Sequence, residues 1–137
     1  MRIKFGQRAA RIAAVAALTA GTVALATGSA YAAGPGGVEA CPSGSVCLYY
    51  NSPGVGWGSF DNFSPNQNLD LHNYTFAHYA NGSGYGQNMY GNAASIVNNT
   101  GHTVYVSQIS DGFWISYPAG YAGSLNSAAN NDARLFS

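Results

Sequence analysis

The chain has 137 residues, five Lys or Arg against five Asp or Glu, and 13% aromatic residues, a balance of low charge and high aromatic content that excludes an intrinsically disordered protein. Four of the five basic residues, Arg2, Lys4, Arg8 and Arg11, fall in the first eleven positions, and beyond residue 32 Arg134 alone opposes Glu39, Asp61, Asp70, Asp111 and Asp132, one positive against five negative charges for a net of −4 with histidine neutral. No basic patch remains there to neutralise phosphates, so nucleic acid and anionic lipid are excluded as partners.

Residues 1–32 read as an export signal. The basic start is followed by an apolar, alanine-rich run from Ile12 to Ala26, and Ala30-Tyr31-Ala32 fits the small-x-small cleavage rule, which predicts cleavage between Ala32 and Ala33. The run is shorter than the roughly 20 residues of a membrane helix. The processed protein is therefore expected to be secreted and extracellular, with no membrane association. Residues 33–40 are punctuated by glycine and proline and predict a flexible N-terminal tail. Residues 41–137 predict one domain, long enough to bury about two-thirds of its unfolded surface.

Cys41 and Cys47 are the only cysteines. In an exported protein an even pair implies a disulfide, which for so short a loop is worth roughly 2 to 2.5 kcal/mol on the chain-entropy model. A metal would need more soft ligands than two thiols, with no histidine close by in sequence, and redox catalysis would call for C-x-x-C spacing.

Directly after this loop, Val46, Leu48 and Tyr50 alternate with Cys47 and Tyr49, the period of a strand with one buried face. Asn51-Ser52-Pro53-Gly54 supplies turn chemistry, and Trp57-Gly58-Ser59-Phe60 forms the second arm of a hairpin. From Asp61 to Tyr90 the alternation fades into a stretch dense in Asn, Gly, Ser and Tyr, with Leu69 and Leu71 marking one short strand. Gly82, Gly84 and Gly86 give a G-x-G-x-G pattern without the preceding strand and following helix of a dinucleotide site. Strands resume at Ala94 to Asn98, with Ile96 and Val97 on opposite faces, and Asn99-Thr100-Gly101-His102 makes the next turn.

Residues 103–137 repeat the arrangement of the first hairpin. Val104-Tyr105-Val106, Ser110-Asp111-Gly112 and Trp114-Ile115-Ser116-Tyr117 restate the order of strand, glycine-containing turn and Trp-x-Ser-aromatic. Pro118-Ala119-Gly120 turns the chain, and Ala133 to Phe136 is the last strand. Two copies of one β motif are expected, the first lengthened by an insertion between Asp61 and Asn92. Matched positions in two copies mark a shared core, so Trp57 and Trp114 are expected to be buried; the competing pattern is a pair of exposed flat aromatics suited to sugars. A long irregular insertion on a compact β scaffold tends to be functional or disordered, and this one, aromatic and nearly uncharged, favours a structured binding loop. Tyr74, Phe76, Tyr79, Tyr85 and Tyr90 within it are the candidates for an exposed contact surface.

Catalytic chemistry has little support. His72, His78 and His102 show no HExxH or other metal-ligand spacing. His72 and His78 share the insertion with Asp61 and Asp70, but a Ser-His-Asp site is defined by geometry, and solvated loop histidines are the simpler reading. Asp61, Asp70 and Asp111 give no sign of the paired carboxylates of a glycosidase. No catalytic residue, metal site or cofactor is expected.

The segment Cys41-Pro42-Ser43-Gly44-Ser45-Val46-Cys47-Leu48-Tyr49 resembles the opening C-P-x-G-x-V-C-L-Y of peptidase inhibitor family 36, the streptomycete metalloproteinase-inhibitor type, and residues 41–137 look like that family. Tyr49 and Gly56 resemble the crystallin element of Tyr followed seven residues later by Gly. The resemblance implies an all-β fold of two Greek-key motifs forming a βγ-crystallin-like sandwich. It further implies an inhibitor of an extracellular peptidase, metallo-type favoured, that acts by loop binding without catalysis, and the processed protein is expected to be a monomer. Inhibitory members brace the contact loop with a further disulfide, for which this chain has no cysteine left. Many crystallin-type domains bind calcium through N/D-N/D-x-x-S/T-S segments; Gly91-Asn92-Ala93-Ala94-Ser95-Ile96 and Asn131-Asp132-Ala133-Arg134-Leu135-Phe136 keep only fragments of the pattern, with one carboxylate, and calcium is not expected. The alternative from a different class is a cell-wall or carbohydrate-binding module, antimicrobial in one version, that lays the tyrosine-rich insertion on glycans.

Overall fold

Eight short strands in two antiparallel sheets enclose the core of the computed structural model, which describes residues 40–137. The expected signal segment, its Ala32/Ala33 cleavage point and residues 33–39 of the tail lie outside the described residues. The strands are β1 (Val46–Tyr49), β2 (Phe60–Phe63), β3 (Asn68–Asp70), β4 (Ser95–Asn98), β5 (Val104–Gln108), β6 (Trp114–Tyr117), β7 (Ala122–Ser124) and β8 (Asp132–Phe136). One sheet has the order β2-β1-β4-β7 and the other β3-β8-β5-β6.

The duplication expected from the sequence is visible in that order. Raising each strand number of the first sheet by four, and wrapping past eight, reproduces the second sheet read backwards. Each half thus keeps its first, second and fourth strands together and sends its third to the opposite sheet. A single 3-10 turn follows the exchanged strand in both halves, Leu71–Asn73 after β3 and Asn126–Ala128 after β7. β7 was not evident in the sequence: Ala122-Gly123-Ser124 has no β-branched or aromatic residue, and it is a strand because its backbone completes the β4 ladder, Ser95 opposite Ser124 and Val97 opposite Ala122.

Between the sheets, Val46, Leu48, Ile96, Val104, Val106, Tyr117, Leu125 and Leu135 are buried at 1% exposure or less. A second apolar cluster of Cys41, Cys47, Tyr49, Trp57, Phe60, Ala80 and Val97 lies on the outer face of the first sheet. β1 is accordingly buried on both faces rather than on one. Its odd set, Cys47 and Tyr49, is roofed by the disulfide loop and by the ring of Trp57, which meets Tyr49 edge-on at 5.1 Å. The Cys41–Cys47 disulfide is present as expected.

The two tryptophans do not occupy matched positions. The register pairs Tyr49 with Phe60 at the start of β2 and Ser107 with Trp114 at the start of β6, so the counterpart of Trp114 is Phe60. Phe60 is fully buried, while Trp114 is 45% exposed. Trp57 sits three residues earlier in a turn at φ 64° and reaches the outer cluster from there. The expectation of a common buried tryptophan fails because the outer face of the first sheet is covered and that of the second is open.

Candidate functional site

The halves differ most between their third and fourth strands. Residues 71–94 connect β3 to β4, whereas residues 125–131 suffice between β7 and β8. The insertion is therefore narrower than the Asp61–Asn92 span expected from sequence, because residues 61–63 belong to β2 and residues 68–70 to β3. It folds back on itself as an irregular hairpin. The Phe76 N–H donates to the Gln87 carbonyl at 3.0 Å, the Gly86 N–H to the Phe76 carbonyl at 2.9 Å and the Met89 N–H to the Tyr74 carbonyl at 2.9 Å.

Phe76 and Met89 point inward from this hairpin and are fully buried. Phe76, expected on a contact surface, is thus a core residue whose ring meets Tyr50 edge-on at 5.4 Å. The signal was present in the sequence. Tyr74, Phe76 and His78 alternate with the exposed Thr75 and Ala77, the period of a strand. Tyr74 is half-buried, its ring edge-on to Phe63 at 5.1 Å. Tyr90 is half-buried too and stacks on His72 with centroids 3.4 Å apart.

Residues 79–85 form the tip. Tyr79 and Tyr85 are 61% and 54% exposed, and their rings meet at 5.3 Å. The tip is held by hydrogen bonds to the β1–β2 connection. Ser59 Oγ donates to the Tyr79 carbonyl at 2.7 Å, Asn51 Nδ2 to Ser83 Oγ at 2.9 Å and Asn81 Nδ2 to the Gly56 carbonyl at 3.1 Å. The Ser59 N–H donates to the Ser83 carbonyl at 2.9 Å, and the Ser83 N–H to Asn81 Oδ1 at 3.0 Å. At Gly84, with φ +82°, the backbone passes so close over the Tyr50 ring that an added Cβ would overlap it; only glycine allows both the conformation and the approach. Val55, 66% exposed, ends the neighbouring 3-10 turn Pro53–Val55.

Beside the tip lies a cleft of about 360 Å³. Tyr50, Asn51, Ser52 and Val55 line it from the first half, with Asn92 and Ala94, and Ser124, Ala129 and Asn130 close it from the second. No lining residue is charged, so the cleft offers neutral hydrogen bonds and no acid or base. His72 Nδ1 lies 3.0 Å from Asp70 Oδ1 with both side chains substantially exposed, and the His72 ring stacks on Tyr90. The Asp70 carboxyl is held below its ordinary range by the His72 N–H, then by the His72 ring and Arg134. Among the described residues no three of His, Cys, Asp and Glu gather as metal ligands.

The calcium-type segments do not fit the ion. Ser95 Oγ donates to the Asn51 carbonyl at 2.6 Å, and Asn92 Nδ2 donates to the Asn88 carbonyl. The one carboxylate of these segments, Asp132, is fully buried and accepts the Ala93 N–H at 3.0 Å. Burial pushes its pKa up to about 7.

A family model of peptidase inhibitor family I36 matches residues 34–112, a stretch that holds the disulfide, β1 to β5 and the whole tip. No curated protein and no solved structure gave a match to the chain.

Proposed function

The chain belongs to peptidase inhibitor family I36, and from that membership we propose a secreted, monomeric inhibitor of an extracellular metallopeptidase that works by presenting the 79–85 tip to its target. In this reading residues 1–32 are removed on export by cleavage between Ala32 and Ala33, and no step of catalysis is performed by the inhibitor. The observation that carries the reading is the exposed Tyr79–Tyr85 pair on a tip fixed by Ser59, Asn51 and Asn81.

A rigid contact loop gains affinity because less freedom is lost on binding. A second disulfide is one way to obtain that rigidity; here side-chain hydrogen bonds of Asn51, Ser59 and Asn81 between the β1–β2 connection and the tip supply it. Two adjacent tyrosines then offer large contact area at low entropy cost, with hydroxyls for hydrogen bonds. Val55 and the neutral cleft beside the tip extend the same surface. The Cys41–Cys47 bond and the scarcity of charge suit an oxidising, extracellular setting.

The test is titration of residues 33–137 into secreted zinc and serine peptidases while residual activity is followed. Inhibition of a zinc enzyme at micromolar protein or below is expected; activity undiminished across the panel contradicts the reading.

A further inference from the structure

Residues 81 and 82 are the only Asn-Gly pair of the chain, and the fold sets them in the tip. Asn81 is exposed, and Gly82 carries the backbone through φ +86°, a conformation open to glycine. Every polar group of the pair that faces the tip helps to shape it. Asn81 Oδ1 accepts the Ser83 N–H at 3.0 Å, Asn81 Nδ2 donates to the Gly56 carbonyl at 3.1 Å, and the Gly82 N–H donates to the Tyr79 carbonyl at 2.6 Å. The Tyr79 carbonyl also accepts the Ser59 hydroxyl. The Tyr79 ring lies over Gly82, so close that a Cβ added there would stand 2.7 Å from the tyrosine hydroxyl oxygen.

We propose that Asn81 is a site of spontaneous deamidation, and that the reaction disarms the tip. An asparagine amide carbon and the next backbone nitrogen can close a five-membered ring, and a following glycine, having no Cβ, hinders the approach least. The Gly82 nitrogen loses its proton to solvent base and attacks Asn81 Cγ. The Cγ–Nδ2 bond breaks, and the amide leaves as ammonia with a proton from solvent. Water then opens the resulting succinimide at either of its two carbonyls. Opening at Cγ gives aspartate; opening at the backbone carbonyl gives isoaspartate, with Cβ and Cγ in a main chain now one atom longer. The sum is one water consumed and one ammonia released, with no redox change.

The hydrogen bonds of the tip decide when this happens and what it does. The Ser83 N–H on Oδ1 polarises Cγ and stabilises the charge that attack places on that oxygen. In the closed tip, however, the Tyr79 carbonyl holds the Gly82 N–H, and the nitrogen is released only when the tip opens, so the rate follows local opening. After the reaction the donor to the Gly56 carbonyl is gone: a carboxylate oxygen stands where Nδ2 was, and repulsion replaces a hydrogen bond. The isoaspartate form also shifts Gly82 from beneath the Tyr79 ring. A bound peptidase that keeps the tip closed thus protects Asn81, while free inhibitor ages. This consequence rests on the inhibitor reading; the chemistry at Asn81 does not.

The experiment ages residues 33–137 at mildly alkaline pH and follows each asparagine by peptide mapping with mass spectrometry, with aspartate and isoaspartate separated by chromatography. Hydrogen exchange of residues 79–85 and peptidase inhibition are read on the same samples. Conversion at Asn81 is expected about tenfold or more faster than at any other asparagine. Ser59→Ala, which loosens the Tyr79 carbonyl, should hasten it by about threefold or more, and Asn81→Gln, which would need a six-membered ring, should abolish it. Exchange across residues 79–85 should quicken in the aged protein and in Asn81→Asp alike, and inhibition should fall in step with conversion. An Asn81 that keeps its amide while other asparagines convert, or converts at the same rate in Ser59→Ala, overturns the inference. So does unchanged exchange in the aged protein, or inhibition that survives full conversion. Fresh protein that inhibits no peptidase sinks the inhibitor reading instead, and the mass and exchange measurements then judge the chemistry alone.

Discussion

The Asp132 carboxylate accepts the Ala93 backbone N–H through Oδ1 at 3.0 Å and leaves Oδ2 with no hydrogen bond, at full burial. This contact ties the start of β8 to the connection before β4, and so joins the two halves. Tyr117, whose hydroxyl donates to the Leu125 carbonyl at 2.6 Å, is pushed upward in pKa by burial, then by Tyr121 and Asp132.

With a folded-state pKa of about 7 against about 3.9 in the unfolded chain, Asp132 keeps its proton longer when folded. Its contribution to stability is therefore complete below about pH 4 and is lost as pH rises through about 7. Asp61, raised by burial against the opposing effects of the Asn62 N–H and His78, acts in the same direction, and Asp70, held low, acts in the opposite one. Asp132→Asn keeps the acceptor for Ala93 without the ionisation. Its stability should match the parent near pH 4 and exceed it near pH 8 by an amount on the order of 2 to 4 kcal/mol, from about 1.4 kcal/mol per pKa unit. Melting curves across that range check it, and equal curves at pH 8 would contradict a buried, ionisation-averse carboxylate.

Phe76 and Tyr79 are three residues apart with opposite roles. Truncating a fully buried phenylalanine costs about 3 to 5 kcal/mol, so Phe76→Ala should unfold at much lower urea. Tyr79→Ala, on an exposed ring, should shift stability by no more than about 0.5 kcal/mol while weakening peptidase inhibition. Denaturation and inhibition measured on the same two variants separate core from contact surface.

Ser59 tests whether tip rigidity matters. Its side chain is buried and its hydroxyl holds the Tyr79 carbonyl at 2.7 Å. Ser59→Ala should cost roughly 1 kcal/mol of stability and weaken inhibition about tenfold, although Ser59 contributes no exposed surface. An unchanged inhibition constant would show that the tip is held without it.

Gly84→Ala is a harsher version of the same test. A methyl group there overlaps the Tyr50 ring in a backbone conformation at φ +82°, and a loss of about 1 to 3 kcal/mol is expected. Hydrogen exchange should show faster opening of residues 79–85 than in the parent.

Much of this architecture could be read from residue order. The alternation of Val46 to Tyr49 and of Val104 to Val106, the turn residues after each, and the cysteine pair located the strands and the duplication. Identity of residue type then misled, because Trp57 and Trp114 look equivalent while strand register makes Phe60 the partner of Trp114. Burial of β1 on both faces was hidden because the roof over Cys47 and Tyr49 comes from distant residues such as Trp57 and Ala80. Within the insertion, Tyr79 and Tyr85 emerge on the surface, but aromatic content alone could not distinguish them from Phe76; the two-residue period around Phe76 could have. Trp114, Tyr105 and Phe136 are brought to one exposed sheet face by pairing across β5, β6 and β8, which no local pattern announces.

The most direct measurement is the inhibition constant of residues 33–137 against a secreted zinc peptidase, with the parent and the Tyr79→Ala/Tyr85→Ala double variant compared at equal stability. Inhibition at micromolar concentration or below by the parent, weakened by about 100-fold or more in the double variant as expected for two aromatic anchors, is the result the tip account predicts. Equal inhibition by the two proteins would contradict it.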